Sequence, residues 1–477
     1  MSAKLPRTAA AMLVAGLIWP TLVLAFDPLY PFVDPLRTMP EVVDTGVILP
    51  GDTAPIPCSV QKDFSRPLAL AEAVDLALCN NPQIRSAWAD IKIQAGAVGE
   101  ARAAYLPALT GSLNRTKDQI RYSDTRYPSS NITRNTAQGT LSWRIFDFGG
   151  RSANRQAAES LLAAALANHN ATLQKALSSV TQAYFDAVTA QATLTAKTAS
   201  EDIARNTLHS AKIREDKGAS SQSDTLQATT ALAKSSLEKN RAQGEYEKAR
   251  SVLGYILGIS ANTAILLPED LAEHVGENGK ALSLWLEETQ KNHPAILAAR
   301  NQLEAAQKRV TVARSAGLPT LGFSSSYYQN TRPGEAVTSI DAQETTVGLT
   351  LSIPIFDGFA TSYKVRGAQA QVEQKEAALA DTEHQIAMEV IKAHADAASA
   401  LHNLEASAIL LEAAQGALVV SQRKYDKGAA DIMELLNTQA ALSDAQKERI
   451  RCLAEWRSAR LRLLASAGQI GRSAVRE

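Results

Sequence analysis

The chain is written twice. Asn81-Pro82 recurs as His293-Pro294 and Leu106-Pro107 as Leu318-Pro319, both at an offset of 212 residues. Phe146-Asp147 recurs as Phe356-Asp357, and Lys217-Gly218-Ala219 as Lys427-Gly428-Ala429, both at an offset of 210. Leu253 and Gly258 return as Leu463 and Gly468. So steady an offset marks an internal duplication, and whatever one half folds into, the other must repeat. The units run from 68 to 258 and from 281 to 468, with a connector at 259–280 and a tail at 469–477.

Proline places the helices. Eight prolines fall between Phe26 and Pro67, an extended leader. None occurs from Ser129 to Leu267 or from Ile355 to Glu477. An interior proline costs a helix about 3 kcal/mol, so these tracts are where long helices fit. Each carries a heptad series: Leu166, Leu173, Val180, Ala187, Leu194 and Leu208 in the first copy, and Val390, Ala397, Leu404, Leu411, Leu418 and Tyr425 in the second. Glu201 alone breaks the first series, where the second has Leu411. A strict seven-residue period predicts coiled-coil packing, with small partners such as Ala176, Ala183, Ala190 and Ala204 letting helices approach closely. At 1.5 Å per residue, a helix over 151–216 is roughly 100 Å long, too long for a globule. A plain structural coiled coil satisfies the same stripe.

Between the first helix and the long helix of each unit the period changes to two. Thr345, Val347, Leu349, Leu351 and Ile353 alternate with Thr346, Gly348, Thr350 and Ser352; Leu141, Trp143 and Ile145 alternate with Thr140, Ser142 and Arg144. This predicts strands with one apolar and one small polar face, partnered by "ALTGSLNR" (108–115) and "TLGFSSSYY" (320–328). Four strands of about 9 to 11 residues are the length of membrane β-strands, joined in pairs by exposed loops of about 15 to 20 residues. Four strands cannot close a barrel, and lipid does not tolerate an open edge. Several copies must therefore share one barrel if the strands span lipid, and three copies, giving twelve strands, is the smallest number that leaves a lumen.

Residues 1–25 carry Lys4 and Arg7, an apolar run, and a small-residue ending at Ala25, the pattern of a secretory signal peptide. No cysteine follows that site to carry a lipid. Beyond it no run of 18 uninterrupted apolar residues occurs, so strands are the remaining way across a membrane. The 49 basic and 49 acidic residues balance, which points away from nucleic acid. In an exported chain Cys58 and Cys79, neighbours in sequence, are the candidate disulfide; the alternative is three free thiols with Cys452. Seven histidines show no metal-binding spacing, no phosphate-cradling glycine loop is present, and no catalytic constellation, metal site or cofactor site is expected.

The duplicated unit, its Asn-Pro and Leu-Pro marks, and the strand-to-helix passages "IFDFGGR" and "IPIFDG" resemble the TolC-like outer-membrane efflux and secretion proteins over residues 68–468. The second turn, "YDKGAADIMELLNTQAALSDAQ", and the final stretch "RCLAEWRSARLRLLASAG" resemble the type I secretion subgroup. This resemblance implies an α+β membrane protein: a homotrimeric, twelve-stranded β-barrel in outer-membrane lipid, continued by an α-helical barrel across the periplasm. It implies no enzyme activity. The implied partners are a periplasmic membrane-fusion adaptor and an inner-membrane ABC transporter, and the implied cargo is a protein toxin of the RTX type. Drug or metal efflux with a proton-driven pump uses the same fold. A soluble periplasmic coiled-coil scaffold is the third reading.

The candidate functional residues follow from the repeats. Lys217 with Gly218 and Lys427 with Gly428 mark the turns that end the long helices, Ser221 to Ser223 or Asp431 being suited to cap the next helix. The resemblance implies that these turns meet the adaptor and that Asp224 and Glu434, equivalent at an offset of 210, ring a closed aperture. Ala430 and Asn437 stand where some relatives carry charged latch residues. Phe146, Asp147, Gly149 and Gly150, with Phe356, Asp357 and Gly358, mark the strand-to-helix joints: the aspartates are suited to cap the long helices and the glycines to permit the bend.

Overall fold

Among the described residues, six elements occur in the same order in each half. A computed structural model describes residues 66–124, 126, 129–260, 263, 265–268, 280–332 and 340–469, with Leu36 and Thr38. The first half forms α1 (Leu70–Asn80), α2 (Pro82–Ala103), β1 (Ala108–Ile120), β2 (Ser130–Phe146), α3 (Gly150–Asp216) and α4 (Gln222–Leu257). The second forms α5 (Leu282–Asn292), α6 (Pro294–Ser315), β3 (Thr320–Arg332), β4 (Ile340–Ser352), α7 (Ala360–Asp426) and α8 (Ile432–Ser466). The expected signal peptide and Cys58 lie outside the described residues. Cys79 is disulfide-bonded and Cys452 is buried and free.

The residues divide into two units. The first holds the four strands with the adjoining helix ends, Lys92–Leu162 and Ala305–Ala370. Its sheet is antiparallel throughout, in the order β1-β2-β3-β4, so β2 and β3 join the two repeats. The register lines up one face across all four strands. Leu109, Leu141, Ser325 and Val347 form one row, and Trp143, Phe323 and Leu349 the next. Leu109, Leu113, Val347, Leu349 and Leu351 on this face are 61–86% exposed. The opposite face carries Thr110, Thr140, Ser326 and Thr346.

The strands are 13, 17, 13 and 13 residues long, longer than the sequence pattern predicts, which leaves 121–129 and 333–339 between the paired strands in place of the expected 15 to 20 residues. The difference has a plain cause. Past Leu113 both faces turn polar, with Asn114–Lys117 pairing Thr136–Thr133, so hydrophobic alternation vanishes while the main-chain ladder continues. Hydropathy reports which face is buried; the ladder needs only backbone groups.

The second unit is helical. Every member of both heptad series is buried or half-buried, and the cores around them draw on both repeats, Leu461 and Ala465 of α8 joining the first cluster and Ala211 packing with Tyr425 and Leu435. Val74, Leu78, Leu173, Leu177, Val180, Leu253 and Leu257 cluster in the first repeat; Trp285, Val390, Ala397, Leu404, Trp456 and Leu463 cluster in the second. Leu253 and Leu463, equivalent across the duplication, are 0% and 1% exposed. Glu201, the charge that breaks the first series, is itself buried. Its oxygens accept from Ser236 Oγ at 2.6 Å and Lys239 Nζ at 2.9 Å on α4. The Ser236 hydrogen bond first, then Lys239, holds its carboxyl below the usual range.

Asn81-Pro82 and its counterpart His293-Pro294 prove to be helix starts. Asn81 Oδ1 accepts from Gln83 N at 2.8 Å, and His293 Nδ1 accepts from Ala295 N at 3.2 Å. His293 therefore caps α6 only while Nδ1 is unprotonated, and burial depresses its pKa to about 4. The unfolded chain binds a proton near pH 6.5 that the folded chain refuses until about pH 4, so stability is full above pH 6.5 and falls through that window. We expect the loss to reach about 2–3 kcal/mol by pH 4 in denaturant titrations. His293→Asn, which copies the first repeat's cap, should flatten that dependence; an unchanged pH slope would contradict this role.

Candidate functional site

Two kinds of site emerge, the strand-to-helix joints in the first unit and the helix turns in the second. At the first joint Asp147 is 8% exposed and its Oδ2 accepts from the Arg151 backbone N at 2.9 Å, satisfying an early N–H of α3. The same oxygen pairs with Arg151 Nε at 3.0 Å. The rest of the Arg151 fork donates to the carbonyls of Arg144 (2.6 Å), Ile145 (2.9 Å) and Ala104 (3.3 Å), and its guanidinium lies 4.9 Å from the Tyr105 ring centroid. Trp143 Nε1 donates to Tyr105 O at 2.8 Å. One arginine thus ties together the end of β2, the end of α2 and the start of α3.

In the second joint Thr361 stands where Arg151 does. Asp357 Oδ2 accepts from Thr361 N at 2.8 Å and from Thr361 Oγ1 at 2.5 Å, but no fork reaches the strand. The bend is made by two consecutive left-handed residues in each joint, Phe148 (φ 51°) and Gly149 (φ 87°), then Gly358 (φ 64°) and Phe359 (φ 68°). Glycine and phenylalanine exchange places between the repeats. Each strained phenylalanine sits edge-to-face against its predecessor, Phe146 with Phe148 at 4.8 Å and Phe356 with Phe359 at 5.5 Å. Gly150, expected to permit the bend, does a different job: a Cβ there would lie 2.4 Å from Ser315 Oγ, so it allows α3 to approach the end of α6.

The two turns of the second unit share one geometry. Gly218 (φ 70°) and Gly428 (φ 72°) are left-handed. Ala219 N donates to Arg214 O and Gly218 N to Glu215 O, and Ala429 N donates to Lys424 O and Gly428 N to Tyr425 O. This crossed pair is the Schellman closure of a helix C-terminus. Lys217 and Lys427 are exposed beside these glycines. Ser221 caps α4 in a capping box with Asp224, and Asp431 caps α8 by accepting from Glu434 N at 2.8 Å. Glu434 pairs with Lys424 at 3.2 Å in an exposed ion pair. Asp224 and Glu434, equivalent in sequence, thus play different local roles.

Arg214 adds a contact between the ends of the two long helices that the sequence pattern does not display. Its guanidinium lies 4.2 Å over the Tyr425 ring and donates to the carbonyls of Tyr425 (2.5 Å) and Asp426 (3.0 Å), capping α7 from the end of α3. The Tyr425 hydroxyl is buried without a hydrogen-bond partner among the described residues, and burial raises its pKa. The offset concealed the pair, since Glu215 is the counterpart of Tyr425 and Lys424 that of Arg214. Among the described residues no group of histidines, cysteines and carboxylates is placed to hold a metal.

With this geometry in place, the comparison with known proteins is direct. The family model for outer membrane efflux proteins matches residues 73–258 and 285–469. The chain belongs to that family. It is an outer-membrane protein of a family of transport channels. The chain is 36% identical to protein CyaE of Bordetella pertussis, covering 89% of this chain and 90% of that one. It is 23% identical to the alkaline protease secretion protein AprF of Pseudomonas aeruginosa, covering 84% of each. Among solved structures it superposes on the outer membrane protein VceC of Vibrio cholerae with a TM-score of 0.72 at 20% identity, covering 84% of this chain and 96% of that one. The fold is that of these outer-membrane channels, mostly helical with a small sheet.

The joints differ in a measurable way. Arg151→Met strands the buried Asp147 carboxylate and three carbonyls, so we expect a loss of about 3–5 kcal/mol. Thr361→Val in the other joint should cost about 1 kcal/mol. Equal losses in denaturant unfolding would refute the asymmetry.

Proposed function

We propose that the protein is the outer-membrane channel of a type I secretion system. Three copies join their sheets into a twelve-stranded barrel, and their long helices form a conduit across the periplasm. It takes an exported protein from an inner-membrane ABC transporter through a periplasmic adaptor and supplies no catalysis of its own. The observation that carries this reading is the exposed leucine face on a sheet with two open edges. Such a face is unsuited to water, and such edges are unsuited to lipid unless another copy pairs them. The thirteen residues of β4 rise about 41 Å along the strand, about 31 Å across a bilayer at a 40° tilt, enough to cross a barrel's apolar band of about 25 Å. The likeness to CyaE and AprF supports secretion rather than drug efflux. On this reading the glycine turns at Gly218 and Gly428, with Lys217, Lys427 and Asp431, face the adaptor, and Asp224 and Glu434 narrow the periplasmic aperture. The disulfide partner of Cys79 is assigned to Cys58.

Deleting the gene should remove one large protein from the culture medium and leave drug sensitivity unchanged; the reverse pattern would assign the channel to efflux. Purified protein should run as heat-modifiable trimers and conduct in planar bilayers, whereas recovery in the osmotic-shock fluid would favour a soluble scaffold. Asp224→Asn combined with Glu434→Gln should raise single-channel conductance, and an unchanged value would end the aperture role of that pair. Peptide mapping without reductant should link Cys58 to Cys79; free alkylation of both would exclude it.

A further inference from the structure

The leucine face ends abruptly. On β1 it runs Leu109, Gly111, Leu113, and its next two members are Arg115 and Lys117, both exposed. The register places Asn135, Thr331 and Asp341 in the row of Arg115, and Thr133 in the row of Lys117. Two cations therefore stand one and two rows beyond the last leucine, about 7 Å apart along the strand, on the face that carries the apolar band. The strand-to-helix joints lie at the other end of the sheet, where Trp143, Phe146 and Phe148 are 43–51% exposed. The two ends of the band thus differ in chemistry, aromatic at the joints and basic at the turns.

We propose that Arg115 and Lys117 form a binding surface for the phosphate groups of outer-leaflet lipid. The inference rests on the barrel reading, which puts the turns outside the cell and the leucine face against lipid. A cation on the wall of a barrel is costly at mid-bilayer and nearly free at the interface. At the interface it meets the negatively charged headgroup layer, where each Lys or Arg adds roughly fivefold in affinity. Arginine offers a planar fork that takes two phosphate oxygens at once, and lysine adds a compact second charge. No such pair stands on the described leucine-face positions of β3, where Leu321, Phe323, Ser325 and Tyr327 are followed by Gln329. A trimer would therefore present three separate basic sites, one on each β1.

The test uses the full trimer in mild detergent, with thermal unfolding followed while a bisphosphorylated lipid A, its dephosphorylated form, or inorganic phosphate is added. The bisphosphorylated lipid should raise the melting temperature of the native protein, and the other two should not. Arg115→Gln with Lys117→Gln should weaken the half-saturating lipid concentration about 30-fold, at roughly fivefold per charge compounded, while Arg115→Lys with Lys117→Arg keeps most of the response. Raising the salt should weaken binding to the native protein and leave the neutral variant unaffected. An equal response from native and neutral variants would overturn the proposal, as it would if Arg115 were engaged by Asp341 of a neighbouring copy. A response to inorganic phosphate would overturn the lipid assignment. Conductance measured on the same samples separates the two levels: a conducting native trimer with no lipid response refutes this surface alone, and a native protein that neither trimerises nor conducts refutes the barrel itself.

Discussion

Unsatisfied backbone at the edges of a four-stranded sheet is the constraint on which the rest of the molecule depends. Within the sheet every ladder from β1 to β4 is made, and among the described residues no strand pairs the outer edges of β1 and β4. An edge in water is a hazard, and an edge in hydrocarbon costs several kcal/mol for each unmade hydrogen bond. The leucine face forces the choice, because Leu113 at 86% exposure and Leu109 at 77% belong against apolar neighbours. The proposed closure by further copies would answer both demands together. The duplication fits that closure: each half supplies two of the four strands, and each pair of strands is followed by its own long helix.

Duplication does not keep the halves identical, and their differences fall where the chain changes direction. Asp147 is buried under an arginine fork, while Asp357 is exposed and bonded to a threonine. Asp224 completes a capping box, while Glu434 turns to Lys424. Arg214 closes the end of α7 over Tyr425, and the reciprocal contact cannot form because Glu215 replaces the tyrosine. Each replacement keeps the local backbone path and changes what holds it. The first repeat is tied by buried charge at its joint, whereas the second relies on hydrogen bonds exposed to water. Such divergence is how a duplicated chain acquires two non-equivalent helix pairs from one plan.

Much of this was legible in the residues. Proline-free tracts and heptads at Val180 and Val390 located the long helices, because a helix of 67 residues leaves a periodic signature that no single substitution erases. Alternation at Val347, Leu349 and Leu351 located the sheet for the same reason. The outer strand halves were not legible, because Asn114 to Lys117 carry no facial contrast. Nor was the geometry of the bend: a phenylalanine at positive φ, as at Phe148 and Phe359, defies local propensity and exists because the surroundings hold it there. Arg151 and Arg214 are not legible because most of their hydrogen bonds go to main-chain carbonyls, which every residue owns and no sequence displays.

The number of chains that complete the sheet is the deciding quantity. Native mass spectrometry of the complex released from the outer membrane in mild detergent measures it directly. A single dominant species with the mass of three mature chains, conducting when placed in a bilayer, is the predicted result. A stable monomer that conducts, or a species of one chain recovered from the soluble periplasm, would contradict it.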